Sequence, residues 1–307
     1  MNVLVTGATG FIGSQVVRAL REGGNDVRAT FRPTSLMDRV TDHHEAVEWV
    51  ECDLTRASTG ELAEVATGVD ACVHAAWFVE PGEYLRSRAN LEWVESSLRL
   101  LEGLADAGCR RAVYVGTCFE YDPSFGYLTE STPARPWSLY GSAKLSTCLM
   151  GGELARALGV EFAWARLFYQ YGPYEPPGRL VPYVIRTLLA GEGAELTEGR
   201  QIRDFLHVED VGSALAAVVR SDHVGPVNVG SGEPVSVREL VTRIARELDA
   251  EDRVRFGARP ESPGDPPFIC AGNECLREKV GWSPRYGLEE GIRNAVEWWR
   301  VDSGSPV

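Results

Sequence analysis

A glycine-rich turn near the amino terminus constrains the fold of this chain more than any other feature. Residues 2–6 form a short apolar run rich in β-branched side chains, which is typical of a buried parallel strand. Gly7-Ala-Thr-Gly10-Phe-Ile-Gly13 follows directly, and a helical pattern begins at Ser14. Glycines permit a tight turn, a close approach of backbone N–H groups to a phosphate, and close packing of a helix on a strand. A glycine turn that binds nothing is the alternative, but its position between a strand and a helix amino terminus favours a dinucleotide pyrophosphate site.

Strand and helix patterns alternate along the first half of the chain. Apolar runs at residues 26–31, 46–51, 69–75, 111–115 and 161–165 predict strands. Ser58 with Glu61 forms a capping box that opens a short helix, and longer helical periodicity covers residues 83–107 and 140–158. This alternation predicts an α/β fold with a doubly wound parallel sheet, the Rossmann arrangement.

The pattern changes after residue 165. A loop rich in glycine and proline at residues 171–178 is followed by helical patterns at 180–189, 236–248 and 288–300, the second opened by a capping box of Ser236 and Glu239. We therefore expect a dinucleotide-binding Rossmann domain over residues 1–165, with segments near 205–230 returning to it. Residues 166–307 are expected to form a smaller C-terminal α/β substrate-binding lid.

Charge and composition argue against several classes of partner. The 307 residues are 44% hydrophobic and 24% charged, which is typical of a folded globular chain. A formal net charge of −13 argues against nucleic acid or an anionic membrane as a partner. No apolar run reaches membrane-spanning length, and the amino terminus enters a strand without the pattern of a signal peptide. Seven cysteines without a C-x-x-C pair favour a reducing cytoplasm, with no metal site and no disulfide framework.

Tyr140 and Lys144 are the side chains that most clearly indicate chemistry. They stand four residues apart on a predicted helix, so they share one face, and the chain has only one other lysine, Lys279. An ammonium beside a phenol lowers the phenol pKa, which would make Tyr140 a proton donor or acceptor near neutral pH. A surface contact between the two side chains is the alternative.

Thr117 follows the fifth predicted strand, where its hydroxyl could hydrogen-bond the oxygen that Tyr140 protonates. A threonine that only caps the strand end is the alternative. Ligands of open parallel sheets bind beyond the carboxyl ends of the strands. The loops that should share this crevice are those after Val5, Phe31, Ala75, Val115 and Ala165.

The chain resembles the extended short-chain dehydrogenases/reductases, the nucleotide-sugar epimerase/dehydratase family. The motifs that carry the resemblance, in the family's order, are Gly7/Gly10/Gly13, Asp53-Leu54, His74-Ala75-Ala76, Asn90, Thr117, Tyr140/Lys144, Tyr171-Gly-Pro173, Arg203-Asp204-Phe205 and Asn228-Val-Gly230. The resemblance implies a catalytic triad of Thr117, Tyr140 and Lys144, with Lys144 also holding the nicotinamide ribose. It further implies a nucleotide-diphosphate sugar as substrate, and a homodimer formed by the two long helices.

The same resemblance, combined with the positions of the loops, implies two sets of binding residues. The cofactor-binding set is Gly7, Thr9, Gly10, Phe11, Ile12, Gly13, Phe31, Arg32, Asp53, Leu54, Ala75, Ala76, Trp77, Asn90, Val115, Tyr140 and Lys144. The substrate-binding set is Trp77, Cys118, Phe119, Tyr169, Arg179, Leu180, Arg203 and Arg259. Arg203 would clamp the diphosphate, because a guanidinium can bond two phosphate oxygens at once.

Departures from the family pattern narrow the reaction. Dehydratases of the family carry Asp-Glu directly after the triad threonine, where this chain has Cys118 and Phe119, and decarboxylases carry a glutamate at the second place. With dehydration and decarboxylation disfavoured, the reaction that remains is hydride transfer at a ring carbon. Either a ketoreductase or an epimerase that oxidises and re-reduces C4 would carry it out. Trp77, Cys118 and Phe119 would suit a C6 methyl group, or they could be ordinary core. The family's late phosphate-binding arginine is replaced by Ser262, with Arg259 nearby.

The end of the second predicted strand bears on the cofactor. NAD-selective members carry an acidic residue there, which accepts hydrogen bonds from the adenosine ribose. This chain has Phe31 and Arg32 instead, so NADP(H) is favoured and NAD(H) stays possible. Tyr169 stands where UDP-hexose-binding members often have asparagine, and the surrounding residues resemble enzymes that reduce CDP- or dTDP-4-keto-6-deoxyhexoses in deoxysugar biosynthesis. We therefore predict an NADPH-dependent 4-ketoreductase, with an NAD-dependent C4 epimerase as the alternative and a dinucleotide-sensing protein as a distant one.

Overall fold

A seven-stranded, fully parallel sheet forms the centre of the structure, a computed structural model that describes residues 1–261 and 263–302. Across the sheet the strands are β11 (Gly225–Val229), β7 (Glu161–Leu167), β5 (Arg111–Thr117), β4 (Ala71–His74), β1 (Asn2–Thr6), β2 (Asp26–Phe31) and β3 (Glu48–Glu51). The strand order reverses between β1 and β4, so the loops after these two strands diverge and leave a crevice at the carboxyl edge of the sheet.

Helices cover both faces of this sheet. One face packs on α1 (Phe11–Glu22) and α6 (Val208–Arg220), and the other on α2 (Thr59–Val65), α3 (Ala89–Asp106) and α4 (Leu139–Leu158). Side chains of β1 alternate between the two layers, because Val3 and Val5 join the core under α1 and Leu4 joins the core under α3. The predicted doubly wound Rossmann fold is confirmed.

The carboxyl-terminal elements build a second, smaller core. Its helices are α5 (Leu180–Leu189), α7 (Val237–Glu247) and α8 (Leu288–Asp302). Seven short strands among the described residues lie outside the parallel sheet and form one three-stranded and two two-stranded sheets: β6 (Tyr127–Leu128), β8 (Tyr169–Tyr171), β9 (Ala194–Leu196), β10 (Ile202–His207), β12 (Pro234–Ser236), β13 (Val254–Phe256) and β14 (Cys270–Ala271). The three helices pack on one another through Val184, Ile244 and Val296.

Short helices complete the secondary structure. Residues Asp38–Ala46, Cys118–Glu120, Pro123–Phe125 and Glu251–Arg253 are 3-10 helices, and Cys275–Lys279 is one turn of π-helix. Within residues 1–261 and 263–302, no helix is both long enough and apolar enough to span a membrane.

The observed boundaries differ from the sequence prediction where side chains compete with the backbone. Helix α3 begins at Ala89 rather than near residue 83, because the Asn90 amide donates to the Tyr84 and Ser87 carbonyls and holds the preceding segment as turns. Strand β5 extends beyond Val115, since Gly116 and Thr117 pair with β7. The capping box at Ser58 forms in full, whereas at Ser236 the hydroxyl accepts the Glu239 N–H.

Candidate active site

A cleft of about 660 Å³ runs along the carboxyl edge of the parallel sheet and continues between the two cores. Most of the predicted binding residues line it: Gly7, Thr9, Gly10, Phe11, Ile12, Gly13, Phe31, Arg32, Leu54, Ala75, Ala76, Trp77, Val115, Thr117, Cys118, Phe119, Tyr140, Lys144, Tyr169, Arg179, Leu180 and Arg203. The structure therefore brings the glycine turn, the Tyr140 region and the arginines of the second core to one cavity.

The glycine turn forms a backbone cradle at one end of this cleft. Gly7 has a φ of 69°, and a Cβ on it would lie 2.6 Å from the Ala76 nitrogen. A Cβ on Gly13 would collide with the Gly7 carbonyl. Helix α1 starts here without an acidic residue in its first turn and without a side-chain cap from the described residues. Its free N–H groups and its dipole thus fit the pyrophosphate of a dinucleotide.

The end of the cleft beside β2 has no acidic side chain among the described residues that line it. Of the described residues that line the whole cleft, only Glu175 and Asp265 are acidic, and both belong to the second core. Arg32 is exposed at the end of β2, where its backbone N–H donates to Ser35 Oγ (3.0 Å). Arg39, which sequence reasoning missed, donates to the Thr9 carbonyl (3.5 Å) beside the glycine turn.

Helix α4 places Tyr140 and Lys144 at the middle of the cleft. The Ser138 hydroxyl caps this helix by accepting the Gly141 N–H (3.1 Å), so Tyr140 lies in the first turn and Lys144 one turn later. Tyr140 is 9% exposed and Lys144 is 3% exposed. The Lys144 ammonium donates to the Val115 carbonyl (2.7 Å), and Nζ lies 3.8 Å from the centre of the Trp77 ring. The two predicted proton-transfer residues are therefore neighbours in the cavity rather than a surface pair.

The environment of Tyr140 and Lys144 corrects one expectation from the sequence. Burial raises the pKa of Tyr140, the Tyr84 phenol raises it further, and a hydrogen bond with Thr117 opposes the rise. Burial lowers the pKa of Lys144 to about 7, opposed by the negative charge of Glu120. Because the amine faces Val115 and Trp77, it does not lower the phenol pKa in this structure as predicted. Tyr140 is consequently protonated at neutral pH.

A buried ion pair supports the loop that carries Thr117. Glu120 is fully buried, and its Oε2 accepts from Arg166 Nε (2.7 Å). Its Oε1 accepts from Trp164 Nε1 (2.9 Å) and from the Thr117 backbone N–H (2.8 Å). Sequence reasoning missed this role, because the pairing of Glu120 with residues more than 40 positions away depends on the packing of β7 beside β5.

The two positions after Thr117 carry no carboxylate. Cys118 is buried, and burial raises the pKa of its thiol. The Phe119 ring meets the Tyr140 ring edge-on at 6.4 Å, and it also packs near Trp137 and Tyr169. The side chains at these two positions therefore bring no acid or base to the cleft at neutral pH, and the rings around them are aromatic.

Two arginines face the far half of the cleft. Arg203 is buried, pairs with Asp265 (2.6 Å) and lies over the Tyr169 ring at 5.4 Å. The Arg179 guanidinium lies 5.6 Å from the Tyr84 ring centre. Neither Asp265 nor Tyr84 was singled out from the sequence, since their roles arise from contacts between distant loops.

Three predicted residues do not line the cleft. The Asp53 carboxylate accepts from the Thr55 backbone and hydroxyl, and Arg259 donates to the Tyr183 hydroxyl (2.9 Å) away from the cavity. Asn90 is fully buried, and its amide oxygen accepts from Trp77 Nε1 (2.9 Å). Asn90 thus positions Trp77 instead of facing a cofactor. Ser262 lies outside the described residues.

His74 holds the two strands at the crevice together. Its ring nitrogens bond the hydroxyls of Thr6 (2.7 Å) and Ser97 (2.8 Å), and burial lowers its pKa to about 3. This histidine is therefore neutral at neutral pH, and both of its ring nitrogens are occupied by hydroxyl partners.

The fold and the cleft together define a dinucleotide-dependent enzyme of the extended short-chain dehydrogenase/reductase class. A family model described as the NAD dependent epimerase/dehydratase family matches residues 3–230. The chain belongs to this family, which comprises nucleotide-sugar epimerases and dehydratases, and the resemblance predicted from the sequence is confirmed.

Several known proteins are similar over nearly their full length. The UDP-glucose 4-epimerase of Mycolicibacterium smegmatis is 30% identical, with 99% of this chain and 100% of the relative covered. The structure of a UDP-N-acetylglucosamine 4-epimerase from Methanobrevibacter ruminantium, in complex with UDP-N-acetylmuramic acid, has a TM-score of 0.89 at 26% identity and covers 98% of both chains. The dTDP-glucose 4,6-dehydratase DesIV from Streptomyces venezuelae, with NAD bound, has a TM-score of 0.87 at 28% identity, covering 99% and 98%.

Proposed function

We propose that this enzyme reduces the C4 keto group of a nucleotide-linked 4-keto-6-deoxyhexose with NADPH. The observation that carries the proposal is the protonated Tyr140 phenol beside Thr117, in a cleft where positions 118 and 119 supply a thiol and a phenyl ring. Reduction of a ketone requires one proton donor at the oxygen, which Tyr140 supplies. The acid and base that dehydratases of the family place at these two positions are missing here.

Five side chains of the site have roles in this reaction. When bound along the glycine turn, NADPH would supply the hydride. The Tyr140 hydroxyl donates its proton to O4 of the sugar, and the Thr117 hydroxyl orients that oxygen. Lys144 holds the nicotinamide ribose, and its position beside the Val115 carbonyl keeps it within the cofactor half of the cleft. Arg179 and Arg203 hold the diphosphate of the sugar nucleotide.

The choice of NADPH rests on the charge at the adenosine end. Arg32 is exposed there and forms no ion pair with the residues that the structure describes, so its guanidinium is available to a 2′-phosphate. The acids that line the described cleft lie in its other half, so none repels that phosphate. The DesIV structure contains NAD, so the nucleotide that this enzyme uses has to be measured.

The test is a screen of the purified protein for oxidation of NADPH and NADH with 4-keto-6-deoxyhexoses linked to dTDP, CDP and UDP. Tyr140→Phe should lower kcat by about 10²–10⁴-fold, because it removes the proton donor while keeping the ring. Its affinity for NADPH should stay within about threefold of wild type, since the phosphates are bound by the glycine turn. The matched control is Tyr127→Phe, at an exposed tyrosine bonded to Glu274. No turnover of any keto sugar with either nucleotide contradicts the proposal.

A C4 epimerase is the second candidate, favoured by the full-length similarity to the UDP-glucose 4-epimerase of Mycolicibacterium smegmatis. An epimerase regenerates its nucleotide in each turnover. We expect the protein to release less than one equivalent of NAD when it is denatured. We also expect the native protein to leave UDP-glucose unconverted. One equivalent of released NAD, together with formation of UDP-galactose, would favour the epimerase.

A further inference from the structure

Glu175 is a buried acid that the roles above leave unassigned. It lies in the loop between β8 and α5 and lines the cleft, yet it is only 6% exposed. Its Oε2 is fully shielded from solvent and has no hydrogen-bond partner among residues 1–261 and 263–302. A buried carboxyl oxygen without a hydrogen-bond partner is costly, so its presence beside a cavity points to a partner supplied by the ligand.

The loop around Glu175 is held in an uncommon conformation. Tyr174 has a φ of 65°, which bulky residues rarely adopt, and its ring packs on Trp298 of α8 at 4.6 Å. The Glu175 N–H donates to the Gly172 carbonyl and closes the turn (3.3 Å). Packing against α8 therefore stabilises the turn that directs Glu175 into the cleft.

The chemistry of Glu175 differs from that of the other acid in the cleft. Asp265 is paired with Arg203, so its negative charge is compensated by the guanidinium. Glu175 forms no ion pair within the described chain, and burial raises its pKa to about 8, although Arg179 and the Gly172 backbone oppose the rise. At neutral pH the side chain is thus a neutral acid, which can both donate and accept a hydrogen bond.

The neighbours of Glu175 indicate which part of the ligand it meets. Arg179 interacts electrostatically with Glu175 and also lies over the Tyr84 ring. The Tyr84 ring in turn meets the Tyr140 ring edge-on at 4.9 Å. One aromatic ring therefore separates the Arg179 guanidinium from the proton donor. In the proposed complex the sugar lies at this proton donor, next to the arginine that would hold the diphosphate, and a neutral acid there matches a sugar hydroxyl better than an anionic phosphate.

We propose that Glu175 is a specificity-determining residue whose carboxyl hydrogen-bonds a hydroxyl of the hexose in the nucleotide-linked sugar. This inference rests on the proposed class of substrate, a nucleotide sugar, and not on the direction of hydride transfer. It predicts that the contact adds affinity for the sugar nucleotide and none for the nucleoside diphosphate alone.

The experiment is calorimetric titration of the NADP⁺-saturated protein with dTDP-glucose, dTDP, UDP-glucose and UDP. Glu175→Ala should weaken binding of the preferred sugar nucleotide by roughly tenfold, the loss of one hydrogen bond to a buried group, and binding of its diphosphate by less than about twofold. Glu175→Gln, which keeps one donor and one acceptor, should fall between. Glu192→Gln, an exposed glutamate just after α5, is the matched control and should bind as wild type. Thermal unfolding of each variant verifies that it is folded.

The outcomes separate this inference from the proposed reaction. Equal weakening of the sugar nucleotide and the diphosphate by Glu175→Ala overturns the inference, as does no weakening of either. Wild-type protein that binds neither sugar nucleotide more tightly than its diphosphate also overturns it. If wild type binds the sugar nucleotide and the Glu175 variants lose that preference, the inference holds even when no keto sugar is reduced.

Discussion

Burial changes the ionisation of acids and bases at the cleft in opposite directions. Tyr140 and Glu175 keep their protons to higher pH than free side chains, whereas Lys144 loses its proton at lower pH. The part of the cleft around Tyr140 therefore carries little charge of its own. In the proposed reaction, Arg179 and Arg203 would therefore supply most of the attraction for a substrate with two phosphates.

The pKa of Glu175 makes a prediction about stability. Its folded-state pKa of about 8 lies above the ordinary value of 4.5, so the folded protein holds a proton that the unfolded chain has released between these pH values. The contribution of this protonated carboxyl to the free energy of unfolding is complete below pH 4.5 and is lost as the pH rises towards 8. Relative to Glu175→Gln, wild type should lose up to about 1.4 kcal/mol of unfolding free energy per pH unit in this window.

Urea unfolding of wild type and Glu175→Gln at pH 5, 6, 7 and 8 checks this expectation. Glu192→Gln gives the background for loss of an exposed glutamate. A constant difference between wild type and Glu175→Gln across this range would show that Glu175 ionises normally in the folded protein.

Arg32 makes a prediction about cofactor choice. Arg32→Glu replaces the available guanidinium with a carboxylate that repels a 2′-phosphate and accepts from ribose hydroxyls. The ratio of kcat/KM for NADPH to that for NADH should fall by at least roughly tenfold, the effect of one hydrogen bond to a charged group. The control is Arg110→Glu, at an exposed arginine just before β5, on the edge of the sheet opposite to the cleft. An unchanged ratio in Arg32→Glu would assign nucleotide selection to another residue, with Arg39 the first to test.

At the scale of elements, local patterns predicted the first strand, the glycine turn and the α4 helix with its tyrosine and lysine. These patterns worked because each depends on residues close together in sequence. The segment that follows Tyr171 was harder. Strand β10 and helix α6 were not assigned individually, since β10 pairs with β8 and with β12 across thirty or more residues in each case.

The misses at individual site residues have the same origin. Asn90 matched a family motif, but its exact partner was fixed by the position of Trp77 in the folded cleft. Glu175 stands in a proline-rich loop without a recognisable sequence pattern, and only its packing against the rest of the molecule shows that it is buried. Long-range contacts of this kind leave no periodic signal in the sequence.

The α1 amino terminus provides a test of the glycine turn. Gly13→Ala should destabilise the protein by about 1–3 kcal/mol and weaken NADPH binding, because the added methyl would collide with the Gly7 carbonyl. Gly60→Ala, in the first turn of α2, should be neutral or stabilising by up to about 1 kcal/mol, since a Cβ there meets no described atom within 4 Å. Urea unfolding and fluorescence titration with NADPH measure both effects. Equal behaviour of the two variants would contradict the predicted constraint at Gly13.

At the scale of the whole molecule, α3 and α4 pack side by side and expose apolar side chains. Leu91 is 54% exposed on α3, and Leu149 is 63% exposed on α4, next to Met150. We predict that these helices meet their counterparts in a homodimer, because an isologous contact would bury the same face on both copies. Leu149→Glu should shift the protein to monomer in sedimentation velocity at micromolar concentration.

The control for the dimer is Val224→Glu, which places the same charge on a residue that is 56% exposed in the connection between α6 and β11. This variant should sediment as wild type. A wild-type protein that is monomeric throughout the micromolar range would refute the homodimer.

The Glu120–Arg166 ion pair has a consequence for how this scaffold diversifies. It anchors the loop of Thr117 from beneath, while positions 118 and 119 face the cavity and take no part in that anchoring. Exchanging those two side chains would therefore alter which bonds of a bound sugar can be broken while the loop keeps its attachment. Evolution, or a protein engineer, can in this way vary the reaction by substitutions at two neighbouring codons while the Glu120–Arg166 ion pair stays intact.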